Sequence, residues 1–156
     1  MDNEEKLIKK ILVALDGSSW SDQVAKYGGD IALRYNAEIT LIHVVELTKS
    51  VMPVADAGAD FSEEIELTEK LINRMESNAQ NLLSGYQKDM ENKGLNVKIR
   101  IENGNATDVI LTTAEDEGYD LIIVGCRGHG NVKRYILGSV SEKVTRHAPC
   151  PVLIVR

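Results

Sequence analysis

Three glycines and a serine, spaced Gly125-x2-Gly128-x9-Gly138-Ser139, follow directly on the apolar run Leu121 to Val124. Residues of these types at this spacing suit one kind of chemistry, the holding of an anion by bare backbone. Glycine at 125 and 128 removes side chains where a ligand would lie against a strand end, and it tolerates positive φ at a sharp exit. Gly138-Ser139 then opens a helix, whose unpaired N–H groups and dipole favour phosphate oxygens. The nine residues between Gly128 and Gly138 let the chain make an excursion and return to the same cleft. The Ser139 hydroxyl adds a donor, and Arg127, Lys133 or Arg134 adds charge. From Cys126 to His147 five basic residues face Glu142 alone, a local charge of +4 in a chain whose net charge is −6. An anionic ligand is tolerated there and nowhere else.

Two better-known phosphate motifs are missing. No GxxxxGK followed by Ser or Thr occurs in the chain, and Gly128-x-Gly130-x-x is followed by Lys133 where a dinucleotide fingerprint needs its third glycine.

The elements that must position this loop read as an alternation of strand and helix. Ile11–Leu15, Ile39–Val45, Val97–Ile101, Leu121–Val124 and Val152–Val155 are rich in Val, Ile and Leu without strict polar alternation, the pattern of strands covered on both faces. Helical periodicity fills Ser18–Tyr35, Ser62–Lys93, Ala106–Glu117 and Ser139–His147. Gly94 and Gly118 stop the second and third helices, and Pro149 stops the fourth. Gly28-Gly29, inside the first helix, predicts close approach to the sheet. Right-handed crossovers turn this order into an α/β fold with a doubly wound five-stranded parallel sheet and helices on both faces. At 156 residues the chain is expected to form one domain, 1–156.

In such a sheet ligands bind beyond the carboxyl ends of the strands, so Asp16-Gly17-Ser18-Ser19 and Gly125-Cys126-Arg127-Gly128 should flank the cleft. Asp16 has two compatible readings, a cap on the first helix through the Ser18 or Ser19 amide and a ligand contact. Thr48–Asp60, with Pro53 and Gly58, reads as a surface loop, either a lid or a plain connection. His43 lies within a strand and reads as a satisfied core histidine, and His147 suits the negative end of the last helix. His129 is the histidine with a route to a phosphate, with loop filler as its competing reading.

Composition excludes several classes. A net charge of −6 argues against nucleic acid as a partner. The charged amino terminus followed by five apolar residues is too short for a signal core or a membrane span, so a cytoplasmic location is expected. Cys126 and Cys150 fit no zinc spacing, and they would lie at opposite ends of neighbouring strands, too far apart for a bridge.

The glycine pattern with its flanks, DLIIVGCRGHG and LGSVSEKVTRHAPCPVLIVR, resembles the ATP-binding signature of the universal stress protein family. The opening ILVALDGSSWS and the second-strand LIHVV resemble it too. The resemblance implies a Rossmann-like sheet of order 3-2-1-4-5. It implies ATP, with Mg2+ carried on the phosphates and not by protein ligands. Asp16 and the backbone of Ala14 and Leu15 would lie near adenine and ribose, and the main chain of Val44 would meet the adenine. Gly125 and Gly128 would run along the ribose and α-phosphate, with Gly138, Ser139 and Val140 on the outer phosphates. Val124, Arg127, His129, Gly130 and Ser141 complete the expected nucleotide-contacting set. Two departures stand out: Ala14 where some members have proline, and Asn105-Ala106 after Gly104 in place of Gly-x-Pro.

The family also implies a homodimer through antiparallel pairing of Pro151–Arg156 across a two-fold axis. The functional expectation is an ATP-responsive regulatory or stress-response protein acting on a protein partner that the sequence does not name. No nucleophile–base pair is evident, so a dedicated enzyme is not expected; a slow ATPase and a nucleotide-independent interaction module are the alternatives.

Overall fold

The computed structural model describes residues 7–46, 62–128 and 137–156. The Thr48–Asp60 loop and His129, Gly130, Lys133 and Arg134 lie outside the described residues. Nine elements follow in the order β1 (Lys10–Ala14), α1 (Ser21–Tyr35), β2 (Glu38–Val45), α2 (Ser62–Glu91), β3 (Val97–Asn103), α3 (Ala106–Asp116), β4 (Leu121–Gly125), α4 (Ser139–His147) and β5 (Val152–Val155). The five strands form one sheet in the order β3-β2-β1-β4-β5, parallel at every pairing.

The lack of polar alternation has the cause inferred from sequence. Ile11, Leu12 and Val13 of the central strand are all fully buried. Ile11 and Val13 pack with Val24 and Ala32 of α1 and Leu83 and Met90 of α2, whereas Leu12 packs with Ile110 of α3 and Val144 of α4. Successive side chains thus enter two different cores, and each must be apolar. Because β1 lies between β2 and β4, the winding reverses at β1 and leaves a crevice between the carboxyl ends of β1 and β4.

Gly28 bears out the close approach expected of it: a Cβ there would stand 2.7 Å from Val13 Cγ2. Gly29 is less constrained, since its nearest neighbour would be Met90 Cε at 3.6 Å. The end of α2 is a Schellman turn, with the Leu95 amide donating to Met90 O and the Gly94 amide to Glu91 O, and Gly94 takes φ +86°. Sequence boundaries drift by a few residues elsewhere. The largest difference is at α1, which starts at Ser21 and not Ser18, for a reason that belongs to the site.

The amino end of the sheet is closed by charge. Lys10 Nζ donates to Glu117 O at 2.9 Å and sits 4.3 Å from the centre of the Tyr119 ring. Arg100, from the middle of β3, reaches Glu117 there as well as its neighbour Glu102, and the buried Tyr119 hydroxyl donates to Thr40 Oγ1 at 2.9 Å. Asp120 Oδ2 accepts the amides of Lys9 and Lys10 at 2.8 and 2.9 Å. Burial pushes the Glu117 carboxyl upward, but the charges of Arg100 and Lys10 outweigh it and hold the group below its ordinary range. Burial raises the Tyr119 phenol, and burial with the nearby Asp120 charge raises the Cys150 thiol. Cys126 and Cys150 are both free.

Candidate functional site

Beyond β1 the chain stays in register for one more residue, with the Leu15 amide donating to Ile42 O at 2.9 Å. It then turns. Asp16 Oδ1 accepts the Ser18 amide at 2.9 Å, the Gly17 amide donates to Ser21 Oγ at 3.0 Å, and Gly17 takes φ +77°. A carboxylate bonded to the amide two residues on builds a turn and not a cap. The helix begins after that turn, at Ser21, with Trp20 at its N-cap position and no side-chain cap bond. The expected Asp16–Ser18 bond is present, but its work is to aim the loop at the mouth of the crevice.

Beyond β4 the Cys126 amide donates to Val155 O at 2.7 Å. Cys126 O then accepts the Gly138 amide at 2.8 Å and the Ser141 hydroxyl at 3.0 Å. The chain entering α4 is laced to the exit of β4, so the return to the cleft expected from the nine-residue spacing is present. Ser141 is buried, and its hydroxyl lies within donating distance of both Cys126 O and Gly138 O. That side chain fastens the loop and offers its proton inward.

The positive φ expected as one use of these glycines is not found. None of Gly125, Gly128 and Gly138 takes positive φ. What a Cβ would meet at each is the protein itself. At Gly125 it would lie 3.3 Å from Trp20 Cβ and from Arg127 O, at Gly128 2.7 Å from Asp16 Oδ2, and at Gly138 3.3 Å from Arg127 Cα. The missing side chains allow the Asp16 loop, the β4 exit and the start of α4 to converge, and that convergence makes the cleft.

Gly138, at φ −64° and ψ 156°, is the N-cap residue of α4 and has no side-chain cap. The Glu142 amide is the first to bond back, to Gly138 O at 2.9 Å. The preceding amides of the first turn, on Ser139, Val140 and Ser141, have no acceptor within the helix. Ser139 is exposed at this end. The opposite wall is built by β2, α2 and α3. His43 Nδ1 is bound to Leu15 O at 2.8 Å, which satisfies the ring as expected, although the residue also borders the cleft. Glu46 Oε1 accepts the Ala106 amide at 2.6 Å, and Asn105 Oδ1 accepts the Asp108 amide at 3.2 Å, so two side chains cap α3.

The space enclosed is about 530 Å3, within the roughly 300–1,000 Å3 of small-molecule sites. Ala14, Leu15, Asp16, Val44, Val124, Gly125, Arg127, Gly128, Gly138, Ser139, Val140 and Ser141 all border it. His129 and Gly130 lie outside the described residues. Sequence reasoning missed Trp20, Glu46, Met75 and Ile110 as lining residues. Glu46 carried a usable signal, a carboxylate at the carboxyl end of a central strand. Met75 and Ile110 carried none, since they belong to ordinary apolar helix stripes. Among the described residues no group of three or more His, Cys, Asp or Glu is placed to hold a metal ion, and no helix is long and apolar enough to cross a membrane.

Comparison with known proteins identifies a family. Residues 7–156 match the model of the universal stress protein family. A putative universal stress protein of Staphylococcus haemolyticus is 38% identical over 151 residues, covering 95% of this chain and 84% of that one. Among solved structures, the universal stress protein UspA of Lactobacillus plantarum aligns with a TM-score of 0.81 at 24% identity, over 96% of this chain and 98% of its own. A universal stress protein in complex with cAMP aligns at TM-score 0.68 and 21% identity, over 96% and 97%. A family protein of Arabidopsis thaliana with AMP bound aligns at 0.58 and 21%, over 94% and 90%. By the sequence match over nearly its whole length, the chain belongs to the universal stress protein family.

Proposed function

We propose that this chain is an adenine-nucleotide-binding regulatory protein that takes ATP, with its Mg2+, in the cleft between β1 and β4. The observation that carries the reading is the start of α4. Its first turn borders the cleft without a side-chain cap, as does Arg127, and a helix N-terminus of this kind favours phosphate oxygens. The volume of the cleft and the apolar wall of Ile42, Val44, Met75 and Ile110 suit a base. The cAMP and AMP bound by two structural neighbours support the same ligand class.

Within the proposal, the amides of Ser139 and Val140 and the Ser139 hydroxyl bind the outer phosphates. Gly125 and Gly128 leave room for the ribose, and Asp16 closes the cleft over it. The ligand supplies the charge and the metal, and the chain supplies position. Hydrolysis is not part of the reading, because His43 is bound to the Leu15 carbonyl and no nucleophile–base pair faces the cleft among the described residues. Binding would therefore act by changing the surface offered to a protein partner. We place the protein in the cytoplasm as a single domain. We also propose a homodimer through β5, an edge strand bonded only to β4 on its inner side. Light scattering of the full chain at twice the monomer mass supports this, and a monomer contradicts it.

The test of the ligand is calorimetric titration of nucleotide-stripped protein with ATP and Mg2+. Saturable binding at one site per chain is expected. A flat titration at millimolar ATP would sink the reading in favour of a nucleotide-independent interaction module.

A further inference from the structure

Three helix N-termini border the cleft, and they are treated differently: at the start of α1 the Ser21 hydroxyl donates to Asp16 Oδ1 at 3.4 Å. Ala106 at the start of α3 and Ser139 at the start of α4 both border it. The α4 end has no side-chain cap, whereas the α3 end is already occupied by a carboxylate from the chain itself, Glu46 Oε1 at 2.6 Å from the Ala106 amide. Each helix end carries the equivalent of about half a positive charge. Glu46 offsets the charge at α3 and Asp16 lies beside the start of α1, leaving α4 as the helix end with no capping carboxylate. A nucleotide lying in this field has one favourable direction, with its phosphates at α4 and its base beside Glu46.

The base end is otherwise apolar: Ile42, Val44, Met75 and Ile110 border it. Glu46 is exposed, and its bond to Ala106 uses one carboxylate oxygen, leaving Oε2 to accept. A carboxylate accepts hydrogen bonds and donates none. Opposite a purine it favours an exocyclic amine and repels a carbonyl oxygen.

We propose that Glu46 is the base-selecting residue of this cleft, admitting purines with a 6-amino group and rejecting those with a 6-oxo group. The inference rests on the nucleotide reading above and adds to it the residue that chooses the base. Selection of this kind comes from hydrogen-bonding groups and not from shape, because adenine and guanine differ little in size.

The experiment compares ATP and GTP on the full-length parent and on Glu46→Gln, by calorimetry. The Gln side-chain carbonyl still accepts from Ala106, so α3 stays capped and a thermal melt checks that the fold is kept. Its amide can also donate to a 6-oxo group. The parent should prefer ATP, and in the variant the ATP/GTP affinity ratio should fall by about tenfold, the scale of one hydrogen bond to a charged group gained or lost. A parent that binds ATP and a variant with an unchanged ratio would overturn the role of Glu46 while leaving the nucleotide reading intact. A parent that binds neither nucleotide overturns both.

Discussion

The two ends of the sheet solve opposite problems with opposite materials. At the amino end, polar side chains close the structure: Lys10, Glu117, Tyr119 and Asp120 pair with one another or with backbone. At the carboxyl end, the β1 and β4 loops are brought together by glycines, and the uncapped first turn of α4 borders the cleft. The first end has its hydrogen-bonding capacity engaged within the fold. The second leaves the first-turn amides of α4 without an acceptor in the helix, as the proposed binding site requires. The contrast predicts that changes at the carboxyl end alter binding more than stability and that changes at the amino end do the reverse.

The sharpest way to break the contrast is Ser139→Glu. A carboxylate in the first turn of α4 is favoured by the helix dipole, so the melting temperature should hold or rise, while ATP phosphates meet a like charge. Affinity should fall about 100-fold or more, or about 3 kcal/mol. Loss of stability with unchanged affinity would reverse the assignment. Next comes Tyr119→Phe at the other end. It removes the donor to the buried Thr40 hydroxyl, and leaving a buried polar group short of a partner costs about 1–2 kcal/mol. Chemical denaturation should show that loss, with the ATP affinity of the parent retained.

Gly128→Ala tests the convergence of the loops. Its Cβ would displace the Asp16 carboxylate, which is exposed and able to swing away. Stability should change by less than about 1 kcal/mol, while affinity should drop by about tenfold as Asp16 leaves its place.

The smallest effect is in pH. The folded carboxyl of Glu117 is held below its unfolded value of 4.5. The unfolded chain therefore takes up this proton first as acid is added. The contribution of Glu117 to stability is fully present above about pH 4.5 and fades as pH falls through the lower folded value. Glu117→Gln should flatten the acid limb of the stability profile below that point and leave ATP affinity at neutral pH alone. An unchanged limb would show that these exposed pairs contribute nothing measurable.

The same contrast explains what could be read in advance. The carboxyl-end site was legible because local spacing builds it: a strand, a glycine pair, a nine-residue return and a helix start all lie between 121 and 139. The packing of the glycines against the rest of the chain was not legible. Their contacts are with Trp20, Asp16 and Arg127, and only the folded chain brings residue 16 to residue 128. The start of α1 was misplaced because Asp16 and Ser18 resemble caps in sequence and form a turn in space. The amino-end network left no trace in the pattern at all. Lys10, Thr40, Arg100 and Glu117 come from four separate segments and meet through strand order, which the parallel winding sets.

The most direct test follows backbone amides by NMR while ATP and Mg2+ are added to stripped, isotope-labelled protein. The account predicts concentration-dependent shifts at Gly125, Gly128 and Ser139 to Ser141, with Lys10, Glu117 and Tyr119 unmoved. Shifts centred on the amino end, or none at the start of α4 under saturating ATP, would contradict it.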